Sequence, residues 1–268
     1  MKKADLRGRH DLGAIVGYGY RIYLRNFTPL FLIALLVLPV EMLGGVLLGP
    51  PKAGDASAPT MLFQLAVAAV AAVAMSGCVF AVNEVATGSA PSFGTSLDTV
   101  FERITALFGT LLLGTALAAG ALYAFPFVAL YWLFHRDVTL DGRRQWWIVL
   151  VPFALAFYLV VRWSMMQQAV MIDGKRSWSA LDASADAVRG NWWRVARTLL
   201  IVGLIASGPL LVTGSAALLP DLGYATITGL ALALGLPFQA AAQTLLYYDL
   251  KARKQAPTDV SPDRLPAP

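Results

Sequence analysis

The sequence predicts an all-α integral membrane protein with six transmembrane helices, on three observations. Of 268 residues, 57% are hydrophobic and 14% charged, against about 25% charged in an ordinary soluble domain. The apolar residues are gathered into six long runs, and runs above about 18 residues read as membrane spans. Trp132, Trp146, Trp147, Trp163, Trp178, Trp192 and Trp193 all fall near the ends of those runs or beside them, as an aromatic belt at the membrane–water boundary requires. In hydrocarbon every backbone amide needs a partner within the structure, and the runs lack the alternation of barrel strands, so the spans read as helices.

Residues 1–27 come first, a basic segment with a helical apolar stripe through Leu12, Ile15, Val16, Gly19, Ile22 and Tyr23. Residues 28–250 hold the six spans. Span 1, about 28–49, opens with Pro29 in its first turn, where proline is tolerated; Glu41 follows Pro39 within it, and the breaker-rich loop 49–59 ends it. Span 2 is uncharged up to Asn83-Glu84. A second stripe runs through Phe93, Leu97, Val100, Phe101 and Ile104, then span 3 is uncharged from Ile104 to Phe134, with a kink expected at Pro126. Trp146-Trp147 begins span 4, which contains Arg162 and stops before Asp173-Gly174. Spans 5 (about 198–219) and 6 (about 224–247) are joined by a turn at Pro220–Gly223. Residues 251–268 are polar and proline-rich, a disordered tail by composition.

The clearest element between spans is Asp173–Leu200. Trp178, Leu181, Ala185, Val188, Trp192 and Val195 recur at alternating steps of three and four, which is one face of a helix. An amphipathic helix with aromatic edges placed before a span is expected to lie in the headgroup layer. Gly88 to Phe93 followed by Leu97 can be laid over Gly174 to Trp178 followed by Leu181, and Arg25-Asn26-Phe27 resembles Gly190-Asn191-Trp192. The unit implied is an interfacial amphipathic helix plus a transmembrane hairpin, used three times.

Basic residues set the orientation. With both termini cytoplasmic, sixteen lysines and arginines lie inside and four (Lys52, Arg136, Arg143 and Arg144) outside, Arg162 being left in a span. No cleavable signal peptide is expected before the first apolar run. The net charge of +5 is too modest to mark a nucleic-acid partner. Cys78, the single cysteine, lies in an apolar run and reads as a packing residue.

Soluble-type catalytic constellations are not expected. His10 and His135 fall on opposite sides of the proposed membrane, and no phosphate loop or metal-ligand spacing occurs, so neither cofactor nor metal is predicted. Polar groups within spans are better candidates, because each is costly in lipid unless paired or near water. Asn83, Gln168 and Gln243 lie near the inward ends of spans 2, 4 and 6, at similar heights under the repeat. They read either as interhelical hydrogen-bond glue or, with Glu84 and Arg162, as a polar pocket for a headgroup or small solute. Arg162 alone can also snorkel to the cytoplasmic headgroups.

The segment GKRSWSALDASADAVRGNWWRVARTLL and the ending AAQTLLYYDLKARK resemble bacterial six-span proteins related to the membrane domain of glycerophosphoryl diester phosphodiesterases, with YciC-like inner-membrane proteins as distant relatives. Residues of about 10 to 254 fit that plan. The resemblance implies a multi-pass protein of the bacterial inner membrane, and it does not bring the phosphodiesterase chemistry. His135-Arg136 is followed by Asp137 rather than glycine, and no Glu-x-Asp follows. The expectation is a non-enzymatic membrane protein that associates with lipid, or organises protein partners on its cytoplasmic face. The alternatives are a permease for a small or lipidic solute using spans 2, 4 and 6, and, third, a lipid-modifying enzyme.

Overall fold

The structure, a computed structural model, describes residues 6–49, 57–134, 147–212 and 221–255. All its regular elements are helical. In chain order they are α1 (Leu12–Arg25), α2 (Phe27–Ala34), α3 (Val37–Leu48), α4 (Ala58–Thr87), α5 (Phe93–Glu102), α6 (Ile104–Phe134), α7 (Trp147–Arg162), α8 (Met166–Met171), α9 (Ser177–Val188), α10 (Trp192–Ala206) and α11 (Asp221–Gln255), with a 3₁₀ turn at Gly208–Val212. Among the described residues five helical stretches are long and apolar enough to cross a membrane: Phe27–Leu48, Ala58–Thr87, Ile104–Leu122, Leu150–Met171 and Leu222–Gln255. They fit a multi-pass membrane protein. Predicted span 5 is present only in part. α10 stops at Ala206, just before Pro209, which has no N–H for a helical bond and restricts Gly208 before it. Residues 213–220 lie outside the described residues, as do the 135–146 loop with His135 and most of the tail, while Asp221–Gly223 of the predicted turn form the first turn of α11.

α11 is the element the others pack around. It touches α1, α2, α3, α4, α9 and α10, and every residue from Ala240 to Leu250 is buried. Small residues make the approach close. A Cβ added at Gly19 of α1 would stand 3.2 Å from the Ala242 backbone, and one at Gly235 would stand 2.3 Å from the Ala206 carbonyl of α10. These are backbone contacts that larger side chains would forbid. The apolar stripe of α1 is thereby explained: Ile15, Gly19, Ile22 and Tyr23 are buried against α11.

Two predicted elements are broken in the structure. Span 1 is a helix pair interrupted at Leu35-Leu36, where Leu36 N–H and Leu38 N–H bond three residues back, to Ile33 and Leu35. Pro39 offers no N–H to the Leu35 carbonyl and its ring crowds that carbonyl, so a regular turn cannot pass. The Asp173–Leu200 segment is likewise two helices rather than one. Gly190 has φ +82°, Arg189 N–H closes α9 on Ala185 and Asp186, and α10 starts at Trp192. The predicted stripe therefore spans a corner. Leu181 and Val188 are each 2% exposed and face the bundle, whereas Trp178 is 62% exposed. Leu181 and Val188 are covered by protein because α9 packs on α6 and α8: Leu181 Cδ2 lies over Gly114 of α6.

Helix ends that sequence punctuation marks are closed as it suggests. α4 runs past Asn83-Glu84 to Thr87 and ends in a Schellman motif: Gly88 (φ +85°) donates to Val85 and Ser89 donates to the Glu84 carbonyl.

Candidate functional site

Span 4 divides at Trp163–Met165, and that division creates the site. Between α7 and α8 the backbone would leave polar groups unpaired, which is costly away from water. Ser184 of α9, wholly buried, meets both needs: Met165 N–H donates to its Oγ at 3.1 Å, and that Oγ donates to the Arg162 carbonyl at 3.1 Å. Held this way, α8 presents Gln168 to α11. Gln168 Nε2 donates to Gln243 Oε1 at 3.3 Å, while Gln168 Oε1, buried, has no partner.

Gln243 lines a cavity of about 610 Å³ within the bundle. Its walls come from α4 (Ala68, Ala72, Met75), α6 (Gly114, Thr115), the α7–α8 bend (Trp163, Ser164), α8 (Gln167), α10 (Leu199) and α11 (Leu236, Gln239). Three carboxamides and two hydroxyls face an otherwise apolar lining, and among the described residues none that lines it carries a charge. Each carboxamide can both donate and accept. The size falls within the roughly 300–1,000 Å³ of small-molecule sites, and an apolar lining with a few convergent polar groups is their usual character. An ion placed there would meet no countercharge and would lose its hydration, which costs several kcal/mol. The chamber suits an uncharged or largely apolar guest.

Of the five predicted intramembrane polar residues, the structure brings together Gln168 and Gln243 alone. Asn83 is engaged at the end of α4 by Tyr248, whose hydroxyl donates to Asn83 Oδ1. Glu84 accepts from Ser92 N–H at 3.5 Å in the turn that follows α4. Arg162 donates to the Tyr158 hydroxyl at 3.0 Å and lies outside the cavity lining. Tyr158 also stacks on Trp192 (centroids 6.0 Å apart, planes at 21°), and the Trp192 indole donates to the Tyr158 carbonyl at 3.4 Å. Trp192 and Arg162 are thus joined through one tyrosine on the flank of α7.

A second polar centre was not foreseen. Asp249, which reads in sequence as a span terminus with its basic flank, is fully buried. Its carboxylate accepts from Arg194 Nε at 3.0 Å, Arg253 Nε at 2.9 and 3.0 Å, and the His10 backbone N–H at 2.8 Å. Both guanidiniums also donate to the His10 carbonyl. Beside it Asp173 accepts from the Tyr247 hydroxyl at 2.6 Å and Lys251 Nζ at 2.8 and 3.0 Å. Arg103 donates to the Val170 and Met171 carbonyls at 3.0 and 2.9 Å, closing the end of α8. The i,i+4 spacing of Asp249 and Arg253 was visible in the sequence; the partnership with Arg194 and His10, 55 and 239 residues away, was not.

Among the described residues no group of three His, Cys, Asp or Glu side chains could hold a metal ion. Fold and site together define a helical, multi-pass membrane protein with a neutral polar chamber in its bundle. Comparison of the chain with family models, curated proteins and solved structures finds no match.

Proposed function

We propose that this chain is a non-enzymatic, lipid-associated protein of the bacterial inner membrane that holds an uncharged amphiphile, a lipid or lipid-like molecule, in the cavity around Gln243. The cavity carries the reading: about 610 Å³, walled by α4, α6, α8, α10 and α11, with three carboxamides and two hydroxyls in an otherwise apolar lining. Six spans with both termini cytoplasmic complete the proposal. The order of elements supports a threefold repeat, since α5 and α9 each lead into a longer apolar helix and α1 leads into the broken apolar stretch Phe27–Leu48, and the basic excess supports the orientation. The resemblance to membrane domains of glycerophosphoryl diester phosphodiesterases points the same way.

The test is lipid retention. Protein purified in mild detergent is expected to carry a stoichiometric neutral lipid or other uncharged amphiphile, identified by mass spectrometry after extraction. Ala72→Trp, which fills the chamber, is expected to lose it. A protein that retains nothing, or a filled variant that retains as much as wild type, would sink the proposal.

A permease is the second reading, favoured by the buried hydrogen bond from Gln168 to Gln243, the member of the pair that lines the cavity. It predicts a flux in proteoliposomes that Gln168→Leu abolishes in a folded protein, whereas simple lipid retention predicts none.

A further inference from the structure

Where α1 meets the first membrane-length stretch, a pocket of about 170 Å³ lies between Leu6, Arg21, Ile22, Arg25, Asn26 and Val85. Three separate pieces of chain build it. Arg21 and Arg25 stand one turn apart on α1, so both guanidiniums reach the same side. Val85 comes from the end of α4. Leu6, 6% exposed, comes from the leading segment, which is tied down four residues later by the His10–Asp249 bond. The floor is apolar and the rim cationic.

Among the described residues no carboxylate answers that rim. Among the described residues the ion pairs are Arg189–Asp186, Arg194–Asp249, Lys251–Asp173 and Arg253–Asp249. The nearest acid in sequence to Val85, Glu84, is turned to Ser92 N–H. The Arg21 guanidinium rests over the Tyr18 ring at 5.7 Å, which steadies it without neutralising it. Asn26 Nδ2 is bound to the Ile22 carbonyl. Among the described residues these two guanidiniums have no countercharge, and Arg21 and Arg25 stand six and two residues before Phe27, where an apolar stretch long enough to cross a membrane begins, a position that suits lipid phosphates. Guanidinium forks match phosphate oxygens in pairs, and a choline or ethanolamine cation would gain nothing from this rim.

We infer that this pocket binds the phosphate of an anionic lipid headgroup, with Arg21 and Arg25 donating to its oxygens and Leu6, Ile22 and Val85 receiving the glycerol and first methylenes. It is separate from the neutral chamber and does not depend on what fills that chamber.

The experiment is native mass spectrometry of the full chain in detergent, titrated with short-chain phosphatidylglycerol and, in parallel, phosphatidylcholine. Wild type is expected to add one phosphatidylglycerol in preference to phosphatidylcholine. Arg21→Gln with Arg25→Gln should weaken that addition about tenfold or more, the effect of losing charge-assisted hydrogen bonds. Arg189→Gln with Arg197→Gln removes two other exposed arginines and should leave it unchanged. Both double variants change exposed residues, and an unaltered melting temperature will show that they fold. Equal weakening in the two pairs, or equal binding of the two lipids, would overturn the site in favour of diffuse charge. Inorganic phosphate tests the source of the ligand. Failure to displace the lipid at millimolar concentration is expected, because the floor recognises the glycerol; displacement by phosphate alone would overturn the lipid assignment.

Discussion

At the scale of single residues, Asp249 is the most consequential side chain in the molecule. Burying a carboxylate is tolerable only when its lone pairs are met, and here two guanidiniums and an amide meet them. Asp249→Ala should leave Arg194 and Arg253 facing each other without a countercharge. Those arginines are 22% and 29% exposed and can turn partly to water, so the expected loss is about 2 kcal/mol, the lower end for a broken buried pair. An unchanged thermal unfolding midpoint in detergent would show the network to be ornamental. The carboxamide pair makes a different prediction. Gln243→Leu strips Gln168 of its acceptor and should cost about 1 kcal/mol, whereas adding Gln168→Leu removes the stranded group as well. The double variant should therefore be more stable than Gln243→Leu alone; additive losses in a double-mutant cycle would contradict the pairing. Ser184→Ala leaves Met165 N–H and the Arg162 carbonyl without partners, for an expected loss of about 1–3 kcal/mol.

At the scale of elements, the glycines at corners and the glycines in contacts should behave unlike each other. Gly190 has φ +82° with nothing within 4 Å of an added Cβ, so Gly190→Ala should cost only the left-handed backbone preference, about 1–2 kcal/mol. Gly235→Ala must push α10 away from α11, because its Cβ would stand 2.3 Å from the Ala206 carbonyl. Its melting temperature should fall further than that of Gly190→Ala; the reverse order would refute the packing described. The same elements mark what sequence could and could not say. The stripes on α1, α5 and α9 were legible because a helical period survives whatever covers it. What covers them was not: a face buried by α11 and a face buried by headgroups require the same apolar residues. Leu181 and Val188 are covered by protein. The Pro39 interruption of span 1 was there to be read, since proline acts on the carbonyl four residues before it.

At the scale of the whole molecule, the apolar runs announced the helices because length and composition are properties of a segment alone. The cavity was only half legible. Gln243 was visible as a polar residue in an apolar run, as was Gln168, which holds it from outside the lining. Thr115, Ser164, Gln167 and Gln239 line the cavity with Gln243 through the packing of α6, the α7–α8 bend and α11. The proposed orientation makes a prediction at this scale too. In a Cys78→Ser background, a cysteine at Gln255 should react with a membrane-impermeant maleimide in inverted inner-membrane vesicles and not in spheroplasts. The opposite pattern would reverse the proposed topology.

The Asp249 network also bears on the order in which the protein is made. Its amide donor belongs to residue 10 and its carboxylate to residue 249, so synthesis supplies the amide well before the carboxylate. Until α11 is in place, Arg194 lacks that carboxylate and the leading segment lacks its tether. The network therefore closes in one step once α11 is made, when α11 fastens residue 10 and α10 together. A chain ending before Asp249 would keep its apolar helices yet lack the fastening, leaving a recognisable defect for membrane proteolysis to act upon.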